Sequence, residues 1–284
     1  MRGRALNRQG FAAGGLPPAS GILRYLLLLV GTALLFALWP SLDQAISAAA
    51  RAFAGGSFAP TDGTWWLLYA GMKPAFFAFA LAVLLLGLAS WRLGRPLLGI
   101  TPRRALFILA SLFLIQGLAI DLYFKGAFGR ARPRDVEVFG GSLAYSPFYL
   151  VSDACRSNCS FVSGHAGMAF SSFVLSFLPR DKRWRRRLFA AALCFGALAG
   201  WMRVIQGAHF ASDVVFAGLI VYGLTWLTAL LVLRPWPEGW DRLVPDFPAA
   251  ASLAPRSPRR YKPGSRRQEG PLGPSPARRR SGGQ

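Results

Sequence analysis

The string RALFILASLFLIQGLAIDLYF, residues 104–124, runs without a break into KGAFGRARP, residues 125–133. The first part is apolar and long enough to cross a bilayer, which takes about 20 helical residues. The second part puts Lys125, Arg130 and Arg132 into one short loop. Gly126 and Gly129 let that loop turn tightly, and Pro133 fixes the chain behind Arg132. A span that opens directly onto three cations reads as a scaffold helix with an anion site at its mouth. For this segment alone, a basic loop on lipid headgroups is the plainer alternative.

The rest of the chain has the same character. Of 284 residues, 53% are hydrophobic and 16% charged, with a mean hydropathy of +0.36. A soluble domain carries about a quarter charged residues. Further apolar runs predict spans at about 22–40, 66–91, 161–178, 188–203 and 209–233. With 104–124 they make an all-α, six-helix transmembrane bundle. A cleaved signal peptide competes for the first run, because a basic start, an apolar core and small residues at Ala48 to Ala50 follow in order; an uncleaved span is preferred. Leu42, Ile46, Ala49 and Phe53 recur at helical spacing and predict a short helix in the membrane interface. Trp65 and Trp66 sit where an aromatic belt is expected. Residues 1–21 read as a basic arm, and 234–284, rich in Pro, Gly, Ser and Arg, as a disordered basic tail.

The formal charge is +21 and the pI about 11.5. In a soluble protein that balance suggests nucleic acid; in a membrane chain its distribution matters more. With both ends on one side, most of the 33 Lys and Arg fall in the N-terminal arm, the loop 92–104, the turn 180–187 and the tail. The positive-inside rule therefore places both termini in the cytoplasm. Arg51, Lys73, Lys125, Arg130, Arg132, Arg134, Arg156 and Arg203 are left on the other face. Lys73, near the outer end of the second span, can snorkel or touch a ligand.

Two more places share the outer face. Ser163-Gly164-His165 opens the fourth predicted span. Backbone N–H groups at a helix start attract anions, Ser163 adds a hydroxyl, and His165 can protonate a leaving oxygen. Arg203 ends the fifth span; His209 and Asp213, four apart, share one helical face at the start of the sixth. A carboxylate there can orient the imidazole and leave its other nitrogen free to attack. Both histidines of the chain are thus used. Cys155 and Cys159, four apart in a polar loop, either form a disulfide on an oxidising face or stay as free thiols. Cys194, inside an apolar run, reads as a small buried hydrophobe. No finger-like second Cys/His pair accompanies the first, so no metal is indicated.

The pattern Lys125-x6-Arg132-Pro133, then Ser163-Gly164-His165, then Arg203-x5-His209-x3-Asp213 resembles the signature of the type 2 phosphatidic acid phosphatase superfamily, which includes bacterial lipid phosphatases and vanadium haloperoxidases. Val162 stands where the family usually has Pro, and Met202 where it usually has Ser. The resemblance implies His209 as nucleophile through a phosphohistidine, with Asp213 orienting it and His165 protonating the leaving alkoxide. It implies Lys125, Arg132, Arg203, Ser163 and the Gly164 N–H as the phosphate cradle, with no metal or other cofactor. Arg130 and Arg134 lie off its fixed positions and are candidates for the lipid headgroup or the anionic bilayer surface; Lys73 is a further candidate headgroup contact, with snorkelling preferred. The segments around Lys125-Gly126 and Cys159 to Gly164 resemble the lipid A 1-phosphatase branch. The implied protein is an inner-membrane phosphatase domain over 22–233 with a periplasmic active site. Its partners are a phosphorylated lipid and the bilayer, with no nucleic acid. Phosphatidylglycerophosphate and undecaprenyl pyrophosphate remain alternative substrates. A transporter of anionic solutes or lipids is the rival class. It would use the cations but not a His209–Asp213 pair. A serine protease would leave the cations unexplained, and a haloperoxidase is soluble.

Overall fold

The computed structural model describes residues 19–60, 66–234 and 244–246. The expectations for the N-terminal arm, Trp65 and nearly all of the tail lie outside these residues. Among the described residues the chain is all-helical, with no strand. Five helices are long and apolar enough to cross a membrane: Gly21–Leu38, Tyr69–Leu93, Pro102–Ala127, Lys182–Ile205 and Ala211–Val232.

Helix α1, Ala19–Leu38, stops before Trp39-Pro40, and α2, Ser41–Phe53, follows at once. The inward face of α2 is not the expected apolar stripe. Asp43, Ser47 and Ala50 are buried, with Leu42 and Ile46 beside them, while Ala49 and Phe53 are exposed. A buried carboxylate outranks apolar spacing here, because it has partners within the protein.

Helix α3, Trp66–Leu93, packs against α4, Pro102–Leu112. Thr101 caps α4 by accepting from the Arg104 N–H at 3.2 Å, with Pro102 in the first turn, where its missing N–H costs nothing. The rod continues through a π-helical segment, Phe113–Phe124, into α5, Lys125–Ala127. The wider winding places residues five apart on one face. Gln116 accordingly donates to Asp121 at 3.1 Å, and Asp121 pairs with Lys125 at 3.0 Å.

The run expected as the fourth span forms two short helices, α6, Gly164–Phe170, and α7, Phe173–Ser176. Ser171, Ser172 and Ser176 turn their hydroxyls onto the carbonyls of Gly167, Ala169 and Phe173, competing with the helical ladder. The pair is buried against α3, α8 (Lys182–Ile205) and α9 (Ala211–Val232) rather than exposed as an apolar rod. Glycines allow the approach: a Cβ at Gly196 would lie 2.0 Å from the Phe170 ring, and one at Gly167 would lie 2.3 Å from Ile120.

Helix α8 starts six residues before the expected span, because Asp181 caps it by accepting from the Arg183 N–H at 2.8 Å. Its first turns are the basic run itself. Cys194 is exposed on α8, a correction to its expected burial: it lies on a face the bundle does not cover.

Candidate active site

The loops between α5 and α6 and between α8 and α9 meet over a cluster of Phe rings. Phe161 contacts Phe124, Phe128, Phe148 and Phe216. That cluster anchors the turn into α6. Ser160 and Ser163, on either side of it, are fully buried.

The segment 152–160 is laced to the cationic loop. The N–H groups of Ser152, Cys155 and Ser160 donate to the carbonyls of Phe128, Gly129 and Arg130. Gly129 has φ +56°, and a Cβ there would meet the Ser152 carbonyl oxygen at 1.7 Å, so this close approach needs glycine. Cys155 and Cys159 are joined by a disulfide, and within their loop the Asn158 carbonyl accepts from Arg132 at 2.7 Å.

His209 lies in the turn between α8 and α9 and is 4% exposed. Its Nδ1 donates to the Ser160 carbonyl at 2.7 Å, while Asp213 Oδ2 is 3.8 Å away. The Nδ1 proton fixes the tautomer, so Nε2 carries the free lone pair. Burial holds the imidazole below its usual pKa; Asp213 opposes that shift, and the charges of Arg203 and Arg132 add to it. Asp213 is fully buried and accepts from Ser160 Oγ at 2.5 Å, from the Phe210 N–H at 2.8 Å and from Arg130 at 2.5 Å. Asp213 therefore reaches the imidazole mainly through Ser160.

The other signature residues gather around this turn. Ser163 caps α6, accepting from the Ala166 N–H at 3.4 Å, and its own N–H donates to the Asp213 carbonyl. A Cβ at Gly164 would lie 3.0 Å from Lys125 Nζ, so the missing side chain makes room for that ammonium. Arg203 and Lys125 both lie within electrostatic reach of His165. Arg203 donates to Gln206 Oε1 at 2.5 Å, and its buried Nε has no partner. A buried guanidinium N–H without an acceptor is costly and is ready for an anion.

Tyr69 on α3 was not anticipated. Its ring stacks on His165, with centroids 4.9 Å apart, and the Arg203 guanidinium sits 4.8 Å from its centre. Nothing in the local sequence marks it, since a Tyr beside Trp65-Trp66 reads as interfacial. Ser160, Asp43 and Ser212 were missed because their partners are remote in sequence, and Asp121 because only the π-helical winding brings Gln116 onto it.

The headgroup expectation for Arg130 is corrected. Arg130 is 0% exposed, its Nη atoms bonded to Asp213, Ser212 and Asp43 and its Nε to the Ser146 carbonyl. Burial opposes its charge, but the two carboxylates outweigh burial and raise its pKa further. It cannot reach a lipid. Arg134 is exposed at the rim, with its N–H on the Gly207 carbonyl. Lys73 is exposed on α3, one turn from Tyr69 and outside the cluster.

An apolar cavity of about 390 Å³ lies between α3, α4, α6 and α8, lined by Leu67, Met72, Phe76, Leu112, Met168 and Phe195; Met72 and Met168 follow Tyr69 and His165 by about one helical turn.

Comparison with known proteins places this arrangement. The PAP2 superfamily pattern matches residues 101–237. The lipid A 4'-phosphatase of Francisella tularensis subsp. novicida is 35% identical over 205 residues, covering 70% of this chain and 90% of the relative. A lipid A 4'-phosphatase of Rhizobium leguminosarum is 36% identical over 125 residues, 44% of this chain and 49% of the relative. A lipid A 1-phosphatase of Rhizobium etli is 34% identical over 153 residues, 49% of this chain and 60% of the relative. No solved structure matches the chain. The signature, the helical membrane scaffold and the extent of these matches lead to one conclusion: the chain belongs to the PAP2 superfamily and is a membrane phosphatase of that family.

Proposed function

We propose that this protein removes a phosphate group from lipid A at the periplasmic face of the bacterial inner membrane, through a phosphohistidine on His209. The observation that carries the reading is the Nδ1–H of His209 held by the Ser160 carbonyl, which leaves Nε2 unprotonated on a ring within electrostatic reach of Arg203 and Arg132. Lys125, Arg132 and Arg203 hold the phosphoryl oxygens with Ser163 and the Gly164 N–H. Fixed cations supply the charge stabilisation that metals supply at many phosphoryl-transfer sites. The Nε2 lone pair bonds to phosphorus, the P–O bond to the sugar breaks, and the leaving alkoxide takes a proton from His165. Water then attacks the phosphohistidine, His165 takes its proton back, and inorganic phosphate leaves. A phosphate arriving beside His165 brings negative charge that favours the imidazolium the step needs.

The apolar cavity, lined by Met72 and Met168 about one turn beyond Tyr69 and His165, suits an acyl chain, which favours a lipid over a soluble phosphate. The 4'-phosphate is the preferred target, because this chain covers 90% of the Francisella 4'-phosphatase. The 1-phosphate is the second reading, favoured by the Rhizobium 1-phosphatase match. The scaffold is read as six passes, counting α6 and α7 as one crossing, with both termini cytoplasmic. The charge distribution supports that orientation.

The test uses purified protein in detergent with bis-phosphorylated lipid A, phosphatidylglycerophosphate and undecaprenyl pyrophosphate. Release from lipid A, with mass spectrometry locating the lost phosphate, is the expected result. Preferred release from another lipid reassigns the substrate. Anion movement across vesicles without phosphate release replaces the enzyme with a transporter.

A further inference from the structure

The buried cation Arg130 has no place in the phosphate cradle, yet two carboxylates are spent on it. Asp213 comes from α9, and Asp43 comes from α2, the helix that follows the first span. Asp43 is 2% exposed and accepts from Arg130 Nη2 at 2.8 Å, from the Ser212 N–H at 2.9 Å and from Ser212 Oγ at 2.5 Å. Ser212 Oγ in turn accepts from Arg130 Nη1 at 2.8 Å. Tyr145 closes the cluster, donating to the Pro40 carbonyl just before α2 and lying 3.4 Å from Arg130 Nη2.

A buried pair of opposite charges is seldom kept for stability alone, and a third charge is costlier still. Burial, with Asp213 close by, raises the Asp43 pKa against the pull of Arg130 and Ser212, but the Asp43 oxygens accept from three donors, which holds it as a carboxylate and leaves the dry cluster with an excess of negative charge. That charge has one short path to the reaction. Arg130 holds Asp213 Oδ1, Asp213 Oδ2 holds Ser160 Oγ, and the Ser160 carbonyl holds His209 Nδ1. When Nε2 bonds to phosphorus while Nδ1 keeps its proton, the ring becomes cationic. A fixed negative charge behind it then stabilises the intermediate more than the resting state.

Resting on the phosphohistidine reading, we propose that Asp43 is a positioning residue for the nucleophile: through Arg130 and Ser212 it fixes the place and charge of the Asp213–Ser160 pair and stabilises phosphorylated His209 without touching the phosphate. The short helix α2 is then part of the active-site frame, although it carries no signature residue.

Two inhibitors test this. Vanadate forms a five-coordinate adduct when an imidazole nitrogen bonds to it, whereas inorganic phosphate binds as a plain anion. In Asp43→Asn the vanadate inhibition constant should rise and kcat should fall together by about 10- to 100-fold, the usual cost of losing a partner that orients a reacting group. KM and the phosphate inhibition constant should stay at their wild-type values, because Lys125, Arg132 and Arg203 are untouched. A partly misfolded preparation lowers kcat but moves neither inhibition constant, so an unshifted vanadate constant overturns the proposal. Should Asp43→Asn fail to accumulate, Ser212→Ala is read in the same assay. A vanadate shift of about fivefold, the worth of one hydrogen bond, is then expected, and no shift overturns the idea. A wild-type protein that releases phosphate from no lipid and ignores vanadate overturns the phosphatase reading itself; an active, vanadate-sensitive wild type with an unshifted Asp43→Asn overturns only the role of Asp43.

Discussion

His209 gives its Nδ1 proton to the carbonyl oxygen of Ser160, 2.7 Å away, while the carboxylate of Asp213 stands off at 3.8 Å. The same Ser160 donates its hydroxyl to Asp213. One serine therefore joins the imidazole to the acidic residue that sequence spacing pairs with it directly.

That relationship separates two variants. His209→Ala removes the attacking nitrogen and should abolish phosphate release, a loss of about 10³-fold or more. Ser160→Ala keeps the carbonyl on Nδ1 and deletes only the bond to Asp213, so kcat should fall by about tenfold, near the worth of one charge-assisted hydrogen bond. Phosphate release by the two purified proteins checks both. Full activity in His209→Ala would remove the nucleophile assignment.

Arg203→Lys tests the unfilled Nε. Lysine keeps a charge but loses the planar fork and the stacking on Tyr69. An effect of about 10- to 100-fold on kcat/KM is expected, as for an orienting group beside a reacting centre. Lys73→Ala, on the exposed face of α3, should change kcat/KM by less than about twofold, because substitutions away from the site are near neutral.

The acid limb of the pH profile should lie below the ordinary imidazole value of about 6.5. His209 must be neutral to attack. Burial depresses its pKa, with Arg203 and Arg132 acting in the same sense and Asp213 against it, so the neutral form persists as pH falls through that value. Activity is then lost only below the depressed pKa. A kcat/KM profile from pH 4 to pH 8 reads this directly, and an acid limb above pH 6.5 contradicts it.

The Cys155–Cys159 bond holds the loop whose Asn158 carbonyl positions Arg132. Cys155→Ser with Cys159→Ser should raise KM by about fivefold, the worth of one positioning hydrogen bond, and should make activity indifferent to reductant. Thiol labelling of the wild-type protein before and after reduction reports whether the pair is oxidised in the membrane.

Gly196 tests the packing of the broken helix. A larger side chain there runs into the Phe170 ring, so Gly196→Leu should cost about 1–3 kcal/mol by overpacking and lower the melting temperature in detergent.

The two histidines, Asp213, Lys125, Arg132 and Arg203 stood out as candidates because polar and charged groups at the ends of apolar runs need a reason to be there, and the structure brings them to one end of the bundle. The apolar blocks were readable for a similar reason. A membrane helix must satisfy its backbone internally, so length and composition nearly define it. The run 161–178 was harder. Its serines hydrogen-bond to their own carbonyls and its glycines admit neighbouring rings, so it became two buried helices rather than one exposed rod.

By itself, the sequence determined that the chain lives in a membrane and that three separated segments hold charged and polar side chains at the ends of apolar runs. Helical periodicity and charge placement are local properties, and local properties survive in one dimension. Only the tertiary structure decided the partner of each group. Arg130, one of three cations in the opening loop, turned inward because Asp43 and Asp213 lie 87 and 83 residues away along the chain but 2.8 and 2.5 Å away in space. A dry guanidinium with two carboxylates in reach is held far more strongly than one facing water and a lipid headgroup, and no spacing rule encodes that choice.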